Sequence, residues 1–243
     1  MSAVASLVYK HEKSSIAVEC SQKKKHYIAY KILRWYDKNR MSYPWRSGRI
    51  SPYRILVTEV LLRKTTREQV RHVYQSFFKQ FPSARALHMS KNQEVERAIT
   101  QLGMEKVRVK ILKKLAEILV KRYSGRVPLS RNALLSLPGV GEYTANAVLL
   151  FAKGEKLPLV DTNSKRIVER VFLGKSFPEN RVSDQLSRFV HFLLPDKRYV
   201  DFNVALLDFA SLVCLPRNPR CHSCTLRTIC GYYQTAGSRT IIK

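Results

Sequence analysis

The 243-residue sequence predicts an all-α fold. Three observations carry that expectation. Apolar residues recur at spacings of three and four over several long segments, as they do on a helix with one buried face. No run alternates apolar and polar residues convincingly enough to read as a strand. In the middle of the chain, Leu137-Pro138-Gly139-Val140-Gly141-Glu142-Tyr143-Thr144-Ala145 sets a proline and two glycines between helix-compatible flanks. Those residues sit poorly inside a helix, so the stretch reads as helix, tight glycine hairpin, helix.

The elements follow in order. Residues 1 to about 25 show no period and end in the basic run Lys23-Lys24-Lys25, so a disordered, solvated terminus is expected there. Cys20 stands alone and reads as a free thiol. Tyr27, Ile28, Ile32, Leu33, Trp35 and Tyr36 mark a first helix, broken by Ser42-Tyr43-Pro44-Trp45-Arg46. From Pro52 to Thr66 apolar residues run right through, which predicts a buried helix. Glu59 lies inside that run. A carboxylate there is costly unless it is paired, protonated or turned to solvent. Val70, Val73, Tyr74, Phe77 and Phe78 form one clean helical face, ended by Phe81-Pro82. Val95 to Ile99 suggests a short helix, and Leu102-Gly103-Met104 a turn. Val107, Ile111, Leu115, Ile118 and Leu119 mark an amphipathic helix that closes near Ser124-Gly125. Its opposite face carries Arg108, Lys110, Lys113 and Lys114, either solvated or facing DNA. After the hairpin, Asp161 precedes Ile167, Val168, Val171 and Phe172 and suits a helix N-cap. Leu186, Phe189, Val190, Leu193 and Leu194 give another face before Pro195, and Phe202 to Val213 a last apolar helix.

Charge narrows the partners. Lys and Arg number 44 against 18 Asp and Glu, a formal charge of +26, which calls for a polyanion and for binding that weakens steeply with salt. No apolar run is long enough to span a bilayer and no signal peptide is evident, so a cytoplasmic, nucleoid-associated protein with no membrane partner is expected. The second helix of the hairpin offers N–H groups that could take a DNA phosphate, although an ordinary helix–helix turn has the same composition. Cys214, Cys221, Cys224 and Cys230 give the spacing C-x6-C-x2-C-x5-C, which reads as a metal centre; spacing alone allows zinc.

Leu-Pro-Gly-Val-Gly-x-x-Thr-Ala, followed by Val160-Asp161, resembles the helix-hairpin-helix superfamily of DNA glycosylases. Pro44-Trp45-Arg46, Pro52-Tyr53-x-Ile55 and Thr58-Glu59-Val60-Leu61-Leu62-Arg63-Lys64-Thr65-Thr66 resemble the branch that holds MutY-type adenine glycosylases and thymine glycosylases acting on G:T mismatches. Arg63-Lys64-Thr65 is closest to the thymine branch. The cysteine spacing resembles the [4Fe-4S] loop of the endonuclease III and MutY branch. The resemblance covers residues 27 to 233 and implies a two-lobed fold. Residues 50–150, with the hairpin at 134–150, would form a helical barrel lobe. Residues 26–49 and 151–233 would form an iron–sulfur cluster lobe with its loop at 214–230. Asp161 and the hairpin would flank the cleft between the lobes.

The activity implied is base excision repair: double-stranded DNA with a mismatched or deaminated base is bound, the base is flipped out, and its N-glycosidic bond is hydrolysed. Leu137, Gly139, Val140, Gly141 and Thr144 would contact DNA, and Arg63, Lys64 or Met104 would fill the vacated stack. Asp161 would stabilise positive charge on the sugar and Glu59 would bond the base or the water. Tyr143 would pack on the sugar or flipped base. Bifunctional relatives carry a Schiff-base lysine at that place, so Tyr143 implies a monofunctional enzyme, and together with Arg63-Lys64 the resemblance favours thymine or uracil opposite guanine. The chain also stops soon after the cysteine loop, without the further domain usual in MutY-type enzymes. A MutY-like adenine glycosylase and a noncatalytic helix-hairpin-helix DNA-binding protein are the alternatives, and a monomer is expected.

Overall fold

The computed structural model describes residues 4–11, 14–175 and 183–237. The chain divides into two compact units, Met1–Met41 with Pro158–Lys243, and Ser42–Leu157.

The first unit opens with an antiparallel hairpin, β1 (Val4–His11) and β2 (Ser14–Ser21), Val4 pairing with Ser21 and His11 with Ser14. This corrects the strand-free reading, and the described residues up to 25 lie in these strands and the helix that follows. Val4, Val8, Tyr9, Ile16 and Val18 have the β-branched or aromatic side chains that suit a pleated backbone. Helix α1 (Gln22–Asn39) follows at once, its first turn capped by the Ser21 hydroxyl, which accepts from Lys24 N at 3.3 Å. The Lys23-Lys24-Lys25 run is therefore helical.

The Ser42–Leu157 unit is built from α2 (Pro52–Leu62), α3 (Arg67–Gln80), α4 (Ala84–Met89), α5 (Asn92–Ala98), α6 (Glu105–Tyr123), α7 (Arg131–Leu135) and α8 (Glu142–Lys153). Its core runs through Leu56, Leu61, Phe77, Phe78, Leu112, Leu115, Leu134 and Val148, with α2 packed on α8 and α4 on α6. The α3 face is the one the periodicity predicts: Val70, Val73, Tyr74, Phe77 and Phe78 are all buried. Thr66 and Gln69 close its start as a reciprocal capping box. On α6 the apolar face is rotated from the expected one. Val107 is exposed, while Arg108, Val109, Leu112, Leu115, Ala116 and Leu119 are buried. Two of the four cations assigned to an outer basic face are structural instead. Lys113 Nζ donates to the carbonyls of Leu87, His88 and Ser90 at 3.0, 2.7 and 2.5 Å, which closes the C-terminus of α4. The other is Arg108, described below.

The first unit resumes with α9 (Thr162–Val168), a π-helical turn at Glu169–Leu173, α10 (Asp184–Leu193), α11 (Tyr199–Leu212) and, after the cysteine loop, α12 (Gly231–Gly237). In α10, Leu186, Phe189, Val190 and Leu193 are buried, as predicted. α1 packs on α11, where the rings of Trp35 and Phe209 meet edge to face at 5.0 Å.

The cysteine expectation is corrected. Among the described residues no group of three or more His, Cys, Asp or Glu is placed to hold a metal ion. Apart from the N-terminal hairpin the structure supports an all-α helix-hairpin-helix fold, and among the described residues no iron–sulfur lobe, [4Fe-4S] cofactor or zinc is assigned. Cys230 Sγ donates to Arg170 O at 3.5 Å, and Cys224 Sγ accepts from Leu226 N at 3.4 Å. Burial pushes the Cys221 and Cys230 thiols up and Cys224 up to about 12. Cys230 lies in the core of this unit, with Cys214 and Cys224 packed against it. Among the described residues no helix is long and apolar enough to cross a membrane.

Candidate active site and glycine hairpin

The glycine hairpin is built as its composition demands. α7 ends at Leu135, Leu137 N donates to Leu134 O at 3.0 Å, and Val140 N to Leu137 O at 3.2 Å. Gly139 has φ +74°, a conformation that L side chains rarely adopt. Leu137, Val140 and Thr144 are buried, so their side chains serve the core, and the hairpin shows its outer side through Gly139, Gly141 and backbone. Gly141 is the N-cap of α8, and no side chain closes that first turn. Such a helix start favours an anion. Glu142 would repel one, but Arg131 of α7 forms an ion pair with it and also donates to Asn146 Oδ1 at 2.9 Å. Arg131 thus braces the two hairpin helices, a role the local sequence pattern does not signal.

The two glycines differ in a way that can be measured. A Cβ on Gly139 would lie 2.7 Å from Ile111 Cγ2 and 3.3 Å from Arg63 Nη1, while one on Gly141 meets nothing within 4 Å. Gly139→Ala is expected to lose about 2 kcal/mol in chemical denaturation, because strain and overlap add. Gly141→Ala is expected to unfold at the wild-type midpoint and to bind duplex DNA more weakly, because its methyl group stands on the outer surface.

Two further segments adjoin within this unit. Arg63 Nη1 donates to Gly139 O at 3.2 Å, so of the three wedge candidates Arg63 is engaged by the hairpin. Lys64 is exposed with φ +52°, and Met104, half exposed with φ +55°, begins α6 from the left-handed region. Arg108 ties these segments together. Its Nη1 donates to Val60 O at 2.7 Å and Leu61 O at 3.1 Å. Its Nη2 donates to Arg63 O at 3.1 Å and Thr65 Oγ1 at 2.8 Å, and Nε reaches Gly103 O at 3.4 Å. A cation at the C-terminus of α2 also complements that helix dipole. Glu59 is half-buried on α2, between buried Thr58 and Val60, and Tyr143 is half-buried in the first turn of α8.

Asp161 belongs to the other unit and is the N-cap of α9, as its sequence context suggests. Its Oδ1 accepts from Asn163 N at 3.0 Å, Ser164 N at 2.8 Å and Ser164 Oγ at 3.0 Å, and Oδ2 accepts from Asn163 Nδ2 at 2.6 Å. Asp161 N in turn donates to Ser164 Oγ at 2.9 Å. Arg166 fixes Asn163 by donating to its Oδ1 at 3.2 Å, and is itself anchored on Cys214 O at 2.9 Å and Ala210 O at 3.0 Å. The carboxylate is half-buried, fixed in direction and unpaired with any lysine or arginine in these contacts.

The profile of the HhH-GPD superfamily base excision DNA repair protein matches residues 57–191. The chain is similar to a thymine/uracil-DNA glycosylase of Methanothermobacter thermautotrophicus, 36% identical over 216 residues that span 89% of this chain and 97% of that protein. A thymine/uracil-DNA glycosylase of Pyrobaculum aerophilum is 42% identical over 208 residues, 84% of this chain and 90% of that protein. The solved structure of a thermostable thymine-DNA glycosylase superposes with a TM-score of 0.82 at 36% identity, covering 88% of this chain and 98% of that one. With a family profile over more than half its length, and with relatives matched along nearly their whole length, the chain belongs to the HhH-GPD superfamily of base excision DNA repair proteins.

Proposed function

We propose that the protein is a monofunctional DNA N-glycosylase that removes thymine or uracil mispaired with guanine from double-stranded DNA. The observation that carries the chemistry is the Asp161 carboxylate, held on one oxygen by two backbone N–H groups and on the other by the Asn163 amide. The base preference is supported by the thymine/uracil-DNA glycosylases to which the chain is similar. A duplex substrate fits the cytoplasmic, nucleoid-associated location expected of the sequence.

Base excision needs the target outside the stack. The hairpin and the α8 start hold backbone phosphate, while Lys64 and Met104 occupy the space the base leaves. As the C1′–N bond breaks, positive charge grows on the sugar, and Asp161 stabilises it without having to reorient. Water then supplies hydroxide to C1′ and a proton to the departing base, with Glu59 bonding the base or that water. Tyr143 packs on the sugar or the flipped base and has no amine to form a Schiff base.

The direct test is a panel of labelled duplexes carrying T or U opposite G, A opposite 8-oxoguanine, or an oxidised pyrimidine, each developed with and without hot alkali. Alkali-dependent cleavage at G:T and G:U is the expected result. Cleavage confined to A would reassign the protein to the adenine branch, and nicking without alkali would contradict the role given to Tyr143. Tyr143→Lys is expected to gain strand nicking and a borohydride-trapped adduct with DNA; no adduct would mean that residue 143 does not reach the sugar.

A further inference from the structure

Helix α1 carries a charged and aromatic surface to which no step of the proposed reaction is assigned. From Gln22 to Tyr36 it has no acidic residue, yet it holds Lys23, Lys24, Lys25, Lys31 and Arg34. Three of these lie in its first turn, at the positive end of the helix dipole, where cations are unfavourable. Four of these five cations lie over aromatic rings. Lys24 lies 4.5 Å from the Phe172 centroid, Lys25 5.1 Å from Phe192, Lys31 5.2 Å from Tyr27 and Arg34 5.8 Å from Tyr30. Tyr27 and Tyr30 are 37% and 54% exposed on a helix whose other face is buried. Each is held in place, Tyr27 by a 3.4 Å hydrogen bond between its hydroxyl and that of Thr228, Tyr30 by Arg34 Nη1 donating at 2.8 Å. Tyr27, Tyr30, Lys31 and Arg34 fall at i, i+3, i+4 and i+7, one stripe about 10 Å long.

We propose that this stripe is a second nucleic-acid site, specific for an unpaired single strand. Fixed, exposed rings interleaved with cations suit bases that can stack, with phosphates beside the lysine and arginine. A duplex hides its base faces and can use only the charges. An acidic peptide likewise can use only the charges.

The test is fluorescence anisotropy with three labelled probes: a 12-nucleotide oligothymidylate, a fully paired 12-base-pair duplex, and an oligoglutamate. Tyr27→Ala/Tyr30→Ala, and Tyr30→Ala alone, are compared with Lys31→Gln/Arg34→Gln. The double tyrosine variant should bind oligothymidylate about tenfold or more weakly, while duplex binding and G:U excision stay within about twofold. The cation variant should flatten the salt dependence on oligothymidylate by about 1.4 in log–log slope, at about 0.7 per charge removed. Unchanged oligothymidylate binding in both tyrosine variants would overturn the proposal. So would an equal loss on the duplex, or a preference for oligoglutamate over oligothymidylate. Excision is read on the same variants, so failure of this site and failure of the glycosylase reading are distinguishable.

Discussion

Asp161→Asn is expected to lower excision from a G:U duplex by about 10³-fold or more, while duplex affinity and the unfolding midpoint stay near wild type. The separation of these effects follows from the two jobs of the side chain. As N-cap of α9, Asp161 needs an oxygen that accepts from Asn163 N and Ser164 N, and asparagine caps as well as aspartate does. As stabiliser of a cationic sugar it needs a full negative charge, which asparagine lacks. The Asn163 amide would then face either an amide oxygen or an amide nitrogen at the 2.6 Å contact, and only the first keeps the bond. Single-turnover excision, binding to an uncleavable duplex and thermal unfolding together check the prediction. Near-normal excision by Asp161→Asn would remove the residue from the mechanism. Equal losses in excision and stability would reduce it to a cap.

The pattern of agreement with the sequence is physical. The α3 face, the α10 face, the Asp161 cap and the glycine hairpin were legible because each is local: periodicity, a capping residue or a positive φ decides it within a few positions. The buried cations were not legible. Lys113 is held by carbonyls 23 to 26 residues away and Arg108 by carbonyls as far as 48 residues away, so spacing on α6 alone makes both look solvated. That mistake also rotated the expected face of α6 onto Val107, which is exposed. The N-terminal hairpin went unread because the lysine run beside it suggested a solvated tail, although Val4, Val8, Ile16 and Val18 carry the strand signal. The cysteines show the converse limit: the spacing of four thiols along the chain does not by itself place them around a metal ion. Around Asp161, Asn163 and Arg166 became evident only through their hydrogen bonds. Comparison with relatives, rather than pocket chemistry, carries the choice of thymine and uracil.

Arg108→Ala is expected to destabilise the protein by about 3–5 kcal/mol, a large share of the roughly 5–15 kcal/mol that holds a domain folded. Arg108 is only 4% exposed, so its loss leaves a cavity as well as unpaired groups. The carbonyls of Val60, Leu61 and Arg63 would lose their shared donor at the C-terminus of α2, where water has little access. Burial and the neighbouring Arg63 guanidinium lower the pKa of Arg108, but arginine stays charged, so the contact with the helix terminus persists across the working pH range. The same hydrogen bonds hold the backbone of Arg63 and Gly103, next to Lys64 and Met104. Loss of the guanidinium should therefore loosen both segments that would support the opened duplex. Arg108→Lys separates stability from positioning: its point charge can satisfy one or two carbonyls near α2 but cannot fork toward Thr65 and Gly103 together. It is expected to recover part of the unfolding midpoint in thermal melts. Excision from a G:T duplex should remain lower than the recovered stability would give, because the base must still be extruded against stacking. Parallel recovery of stability and excision would show that Arg108 acts only through the fold.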